Sequence, residues 1–123
     1  MNTERYEELL DCWQDYNNPM SAEEVDELFE MVYDQVEAGK KLSEVELSVI
    51  MEGSAVDSEI LAAGRKGWIE MRGIYEIRGR YWAIDYYDND MCGWECDEQV
   101  LQEVEQKEVV RTEWVFKNDS PNQ

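Results

Sequence analysis

Histidine is absent from this chain, and bases are scarce: 11 Lys and Arg stand against 30 Asp and Glu, a formal charge of −19. Without imidazole there is no Ser-His-Asp or Cys-His catalytic set and no imidazole metal ligand. Without clustered Lys and Arg, nothing can displace counterions from a phosphate backbone, so direct nucleic-acid binding is not expected. No apolar run approaches the roughly 18 to 20 residues that would span a bilayer. The start, Met1-Asn2-Thr3-Glu4, has neither a basic nor an apolar stretch, so no secretory signal is expected. Three cysteines, an odd number, then fit a reducing cytoplasm better than a disulfide framework.

What is present is the material of a folded core. Hydrophobic content is 43% and includes five Trp and seven Tyr, so the acidity does not signal disorder. At 123 residues the chain is expected to form one domain: a mainly helical part over 1–63, an antiparallel sheet part over 64–117, and a loose tail over 118–123.

The charge is unevenly spread. Residues 1–37 carry twelve acids and one base, residues 38–84 seven of each, and residues 85–123 eleven acids and three bases. Within the first block the acids fall on helical stripes. Glu4, Glu8, Asp11 and Asp15 form one, and Glu23, Glu27, Glu30, Asp34 and Glu37 form another.

A first helix is predicted from Thr3 to Asn17, with Tyr6, Leu9, Leu10, Trp13 and Tyr16 opposite the acidic stripe and Asn17-Asn18-Pro19 stopping it. A second begins at Ser21, whose Glu24 three residues on completes a capping box, with Met20 and Val25 as a hydrophobic staple. Its core face is Val25, Leu28, Phe29, Val32 and Val36, and Gly39 with Lys40 and Lys41 ends it. Ser43 with Glu46 repeats the box for a third, shorter helix ending near Gly53.

After Gly64 the pattern becomes β. Trp68 to Ile77 and Arg80 to Tyr87 are predicted strands joined by a turn at Arg78-Gly79. In the first, Ile69, Met71, Gly73, Tyr75 and Ile77 share one face and Glu70, Arg72, Ile74 and Glu76 the other. A further pair, Gln99 to Glu105 and Lys107 to Phe116, would complete the sheet. The expected fold class is α+β: two to three N-terminal helices, then a three- or four-stranded antiparallel sheet.

Several chemistries fail on spacing. Asp88, Asp90 and Gly93 match the start of a calcium loop, but its fifth position is Cys92 and its twelfth Gln99, where a bidentate Glu is needed. Cys92 and Cys96 have the spacing of one edge of a zinc site, yet Cys12 is the only other thiol, and two half-buried thiols is the plainer expectation. Gly64-Arg65-Lys66-Gly67 lacks the spacing of a phosphate loop and is expected to be a turn entering the sheet. Acids are too abundant for any pair to single out glycosidase chemistry. No metal, cofactor or catalytic residue is expected.

The acidic stripes remain. Solvated helices usually interleave Lys or Arg at i+4, which these two do not. Glu23 to Glu37 spans about 21 Å at 1.5 Å per residue and carries seven acids, about one per 3.5 Å. A DNA strand presents one phosphate per about 3.4 Å. On this basis Glu23, Glu27, Glu30 and Asp34 are candidate partner-binding residues by nucleic-acid mimicry; a merely solvated face is the alternative. A second acidic group, Asp85, Asp88, Asp90, Glu95, Asp97 and Glu98, is expected in and around a loop between strands, among Tyr86, Tyr87, Met91 and Trp94. Asp88, Asp90, Glu95, Asp97, Tyr87 and Trp94 are candidates there, since aromatic anchors ringed by charge suit a protein interface. The alternative is that the aromatics are sheet core and the acids its wet side.

The stretch from Gly64-Arg65-Lys66-Gly67-Trp68 through Ile74-Tyr75-Glu76-Ile77 and Gly79-Arg80-Tyr81-Trp82-Ala83-Ile84-Asp85 to Val109-Val110-Arg111-Thr112-Glu113-Trp114-Val115-Phe116 resembles the C-terminal region of small acidic proteins of Gram-positive phages and plasmids, some of them anti-CRISPR inhibitors of type II effector nucleases. The resemblance implies a stoichiometric, non-enzymatic cytoplasmic inhibitor that engages the basic guide-RNA or DNA channel, or the PAM-reading surface, of an RNA-guided nuclease. A protein-binding adaptor, using the aromatic surface and needing the charge only for solubility, is the alternative function.

Overall fold

A computed structural model describes residues 3–15, 17, 19–64 and 66–117. Three helices, α1 (Thr3–Gln14), α2 (Ala22–Glu37) and α3 (Glu44–Met51), precede an antiparallel sheet of five strands: β1 (Asp57–Ala63), β2 (Ile69–Ile77), β3 (Arg80–Asn89), β4 (Gly93–Glu95) and β5 (Gln102–Val104). The architecture is α+β, helices first.

The helix boundaries follow local chemistry. Both capping boxes form: Ser21 accepts from the Glu24 N–H and Ser43 from the Glu46 N–H, and each Glu side chain accepts the cap residue's N–H in return. At the end of α2, Gly39 takes φ +70°, and the Gly39 and Lys40 N–H groups donate to Val36 and Gln35, a Schellman motif. α1 ends three residues before the expected Asn17. Asp15 donates back to Cys12 and its carboxylate accepts the Asn17 N–H, a local alternative that competes with helix continuation. Tyr16, assigned to the apolar side of this helix, lies outside the described residues, as do Asn18, Arg65 and the tail from Asn118.

The helices form one layer. Leu9, Leu28, Val32, Val36 and Leu47 are buried. Tyr6 donates to Glu46, Trp13 Nε1 to Ser48 Oγ at 3.1 Å, and Phe29 lies between the rings of Trp13 and Tyr33.

The sheet supplies the second layer. A two-residue turn with Arg78 at φ 53° and Gly79 at φ 78° joins β2 to β3, as expected at Arg78-Gly79. It sets Tyr75 opposite Trp82 and Gly73 opposite Ile84. Their face, with Ile77, packs on the helices and is the inner face. The outer face carries Glu70, Arg72, Ile74, Tyr81, Asp85 and Tyr87 in the same register. Here Arg72 binds Asp85 through two hydrogen bonds of 2.7 and 3.0 Å.

Three features differ from the sequence expectation. The sheet starts at Asp57, before Gly64; β1 was not foreseen because Asp, Ser, Glu and Ala disfavour strands and a bulge between Ile60 and Ala62 breaks the alternation. The expected Gln99 to Glu105 strand shortens to Gln102–Val104, because the Gln99 side chain accepts the Asp85 N–H and donates to the carbonyls of Asp85 and Asp97. The expected strand Lys107 to Phe116 does not form, and residues 105–117 are exposed throughout.

Candidate functional site

The Glu30, Asp34 and Glu37 part of the α2 stripe, which meets Arg78, and the second acidic group occupy opposite ends of the sheet. β3 runs from the Arg78-Gly79 turn to Asn89, about 30 Å at 3.4 Å per residue, so they do not make one continuous surface.

At the first end the α2 stripe meets bases from other elements. Arg78 reaches Glu30 at 2.6 Å, Asp34 at 2.9 Å and Glu37 at 3.3 Å, and lies 5.7 Å over the Tyr33 ring. Arg5 of α1 binds Glu27 through two hydrogen bonds of 3.2 and 3.0 Å. These contacts hold the Glu27 carboxyl below its usual range, chiefly through the hydrogen bond from Arg5, and hold both guanidinium groups more firmly protonated. The bases missing at i+4 are therefore supplied across the fold. Glu27, Glu30 and Asp34 can serve a partner only by exchanging an existing ion pair; Glu23 has no ion pair among the described residues.

At the other end the expected loop is a β-hairpin. Asp88 lies in β3, Glu95 in β4, and only Asp90, Met91 and Cys92 form the turn. Asn89 builds that turn. Its Oδ1 accepts the Met91 and Cys92 N–H groups at 2.9 and 3.3 Å, and its Nδ2 donates to the Lys66 carbonyl at 3.2 Å in the β1–β2 turn. Lys66 and Gly67 are both left-handed there, so the Gly64-to-Gly67 stretch is the turn expected of it, Arg65 lying outside the described residues.

Register sorts the candidates. Glu70 of β2, Tyr87 of β3 and Glu95 of β4 are cross-strand neighbours in one row on the outer face. Ile69, Asp88 and Trp94 form the adjacent row on the opposite face. Tyr87 and Trp94, both about two-fifths exposed, therefore point to opposite sides of the hairpin. Beside the first row lies a hollow of about 250 Å³, lined by Glu70, Asp85, Tyr86, Tyr87, Asp97 and Gln99. Asp85 is tied to Arg72, but Glu70, Asp88, Asp90, Glu95 and Asp97 have no ion pair among the described residues. The hollow thus offers the Glu70 and Asp97 carboxylates, neither in an ion pair among the described residues although Glu70 lies within the field of Arg72, beside a phenol ring, which suits a guanidinium or ammonium group.

The structure brings Tyr87, Glu95 and Asp97 together, sets Asp88 and Trp94 behind them, and leaves Glu30 and Asp34 beside Arg78 at the far end. Glu70, Asn89 and Gln99 were not singled out from sequence. Glu70 was accessible to it, since a two-residue turn at Arg78-Gly79 dictates that Glu70 faces Tyr87.

The cysteines divide differently from two half-buried thiols. Cys92 is exposed, while Cys96 is buried and its thiol is pushed up to about 11, first by desolvation. Among the described residues, no group of three or more acidic or thiol side chains is placed to hold a metal, and no helix is long and apolar enough to cross a membrane. Comparison with protein-family models, curated proteins and solved structures gave no match.

Proposed function

We propose that this protein is a non-enzymatic acidic inhibitor that binds a basic, nucleic-acid-binding surface of another protein in the cytoplasm. Following the resemblance of residues 64 to 116, the surface is that of a type II RNA-guided nuclease, met inside the host of a phage or mobile element. The observation that carries the reading is the acidic hollow at Tyr87. An Arg or Lys that normally holds a phosphate would enter it, its charge meeting Glu70, Glu95 and Asp97 and resting over Tyr87, for Arg with the guanidinium plane against the ring. Mimicry then rests on a socket for basic side chains more than on the phosphate-like spacing along α2, where Glu27, Glu30, Asp34 and Glu37 are already paired.

The test is affinity for such a nuclease across a salt series, with duplex DNA as competitor. The expected result is binding that weakens as salt rises and is displaced by DNA. Reversing Glu70, Glu95 and Asp97 to Lys should weaken it at least about tenfold, and Tyr87→Ala by several-fold. Binding indifferent to salt and to these reversals would discard the mechanism. A second reading, an adaptor using an aromatic surface, is favoured by the exposure of Trp94 on the other side of the hairpin. It is distinguished by Trp94→Ala abolishing binding while charge reversal leaves it intact.

A further inference from the structure

Residues 109–116 carry apolar side chains that no part of the fold covers. Val109, Val110, Trp114, Val115 and Phe116 all lie in water, with Val110 97% and Trp114 100% exposed. In extended form Val110, Thr112, Trp114 and Phe116 share one side, an apolar strip with nothing beneath it, while Val109, Arg111, Glu113 and Val115 share the other.

An apolar surface begins where this segment does. On the outer face of the sheet a cleft of about 390 Å³ crosses β1, β2, β3 and β5, walled by Val56, Ile74, Tyr81 and Val104, and Glu105 and Gln106 belong to its lining. Four strands at about 4.8 Å spacing span roughly 14 Å, whereas the eight residues from Lys107 to Trp114 extend to about 26 Å. The difference leaves length for a turn, so Trp114 and Phe116 can come back over the walls of the cleft.

We infer that residues 107–116 are a strap that closes over the cleft of their own chain, seating Val110, Trp114 and Phe116 on Val56, Ile74, Tyr81 and Val104. Two observations select the chain's own segment over that of a second copy. With Gln106 in the lining the tether is only a few residues long, which sets an effective concentration of about 1 mM or more, far above that of a second copy in dilute solution. A second copy also brings another body of −19, a repulsion that closure within one chain does not incur. Charge inside the chain favours closure as well. Lys107, Arg111 and Lys117 against Glu108 and Glu113 leave residues 107–117 net positive. Arg72 is the opposing cation in the cleft, but Asp85 engages it at 2.7 Å and Glu59 at 3.7 Å, whereas Asp57 and Glu105 have no ion pair among the described residues. The bases lie on the side of the segment away from the apolar strip, so they steer the strap and do not anchor it. The Arg72–Asp85 pair separates the cleft from the Tyr87 hollow: along β2 and β3, Ile74 and Tyr81 lie on one side of it and Glu70 and Tyr87 on the other. Closure therefore leaves the hollow open, and this inference stands or falls apart from the proposed function.

The test is tryptic cleavage after Arg111, inside the strap, followed by mass spectrometry on the full-length chain. Each rate is taken relative to that of the free 105–117 peptide of the same sequence, which has no cleft to close on. The parent should be cut at least about fivefold more slowly than its peptide, because cleavage tracks the open population. Trp114→Ser with Phe116→Ser removes the seated side chains, and Val56→Asp damages the wall at an exposed position. Both should be cut as fast as their peptides, with unchanged circular dichroism spectra. The double variant decides alone if Val56→Asp fails to fold, since Trp114 and Phe116 lie in water outside the core. Protection of the parent should also stay constant over about a hundredfold range of protein concentration, as closure within one chain requires. Protection that grows with concentration gives the cleft to a second copy and overturns the inference. A parent cut as fast as its peptide overturns it too, as does protection that survives the loss of Trp114 and Phe116.

Discussion

Gly73 lies in the middle of β2, where a side chain would ordinarily pack against the helices. A Cβ placed there would stand 2.8 Å from Tyr75 Cε2, because the buried Tyr75 ring lies back along its own strand. The missing side chain makes room for an aromatic one. Gly73→Ala should force the ring off its seat and cost about 1–3 kcal/mol. Gly53→Ala is the control: its Cβ would meet Ile50 O at an ordinary 3.5 Å, and the change should stay within about 0.5 kcal/mol. Urea unfolding midpoints at constant slope would measure both. From the sequence, Gly73 could be assigned to its face by alternation, but its reason could not, since that depends on the rotamer of Tyr75.

At the scale of elements, the β2–β3 hairpin is held to α2 by one residue with two tasks. Arg78 adopts the left-handed conformation that the turn requires, which non-glycine residues other than Asn and Asp adopt at a cost, and its guanidinium gathers Glu30, Asp34 and Glu37. Arg78→Asn keeps a residue suited to the turn and loses the clamp. Its stability should fall by on the order of 1 kcal/mol, and Arg78→Ala should fall further because it suits neither task. Thermal unfolding of the two variants beside the parent separates the contributions. The same elements show what was legible. Capping boxes, the Schellman glycine and the two-residue turn are local chemistry within a few residues, and all formed where the sequence put them. What escaped was non-local. β1 is a weak strand recruited by the edge of β2, and residues 107–116 have strand-forming composition yet pair with no strand. The α2 acids read as a free line because Arg5 is 22 residues from Glu27, and Arg78 is 48 and 44 residues from Glu30 and Asp34.

For the molecule as a whole, one electrostatic consequence follows from its buried phenols. Tyr6, Tyr33, Tyr75 and Tyr86 all keep their protons beyond the usual tyrosine range, first because burial disfavours the phenolate, and for Tyr6 also because it donates to Glu46. In the unfolded chain these groups ionise near pH 10. Their folded values are raised, so the stability they contribute is fully present below about pH 10 and is lost as pH rises beyond it. Denaturant midpoints should therefore hold between about pH 7 and 9 and fall between about pH 10 and 11. Tyr6→Phe, which cannot ionise, should fall less over that upper interval.

Asn89 sets the mechanical character of the end that bears the hollow. One buried amide grips the β3–β4 turn through Oδ1 and the β1–β2 turn through Nδ2, so two hairpin tips that could sway separately are yoked. A basic side chain arriving at Tyr87 meets a surface whose ordering entropy was lost when the chain folded. Little of the attraction is then spent on stiffening the site, and a grip of few contacts can be held for longer.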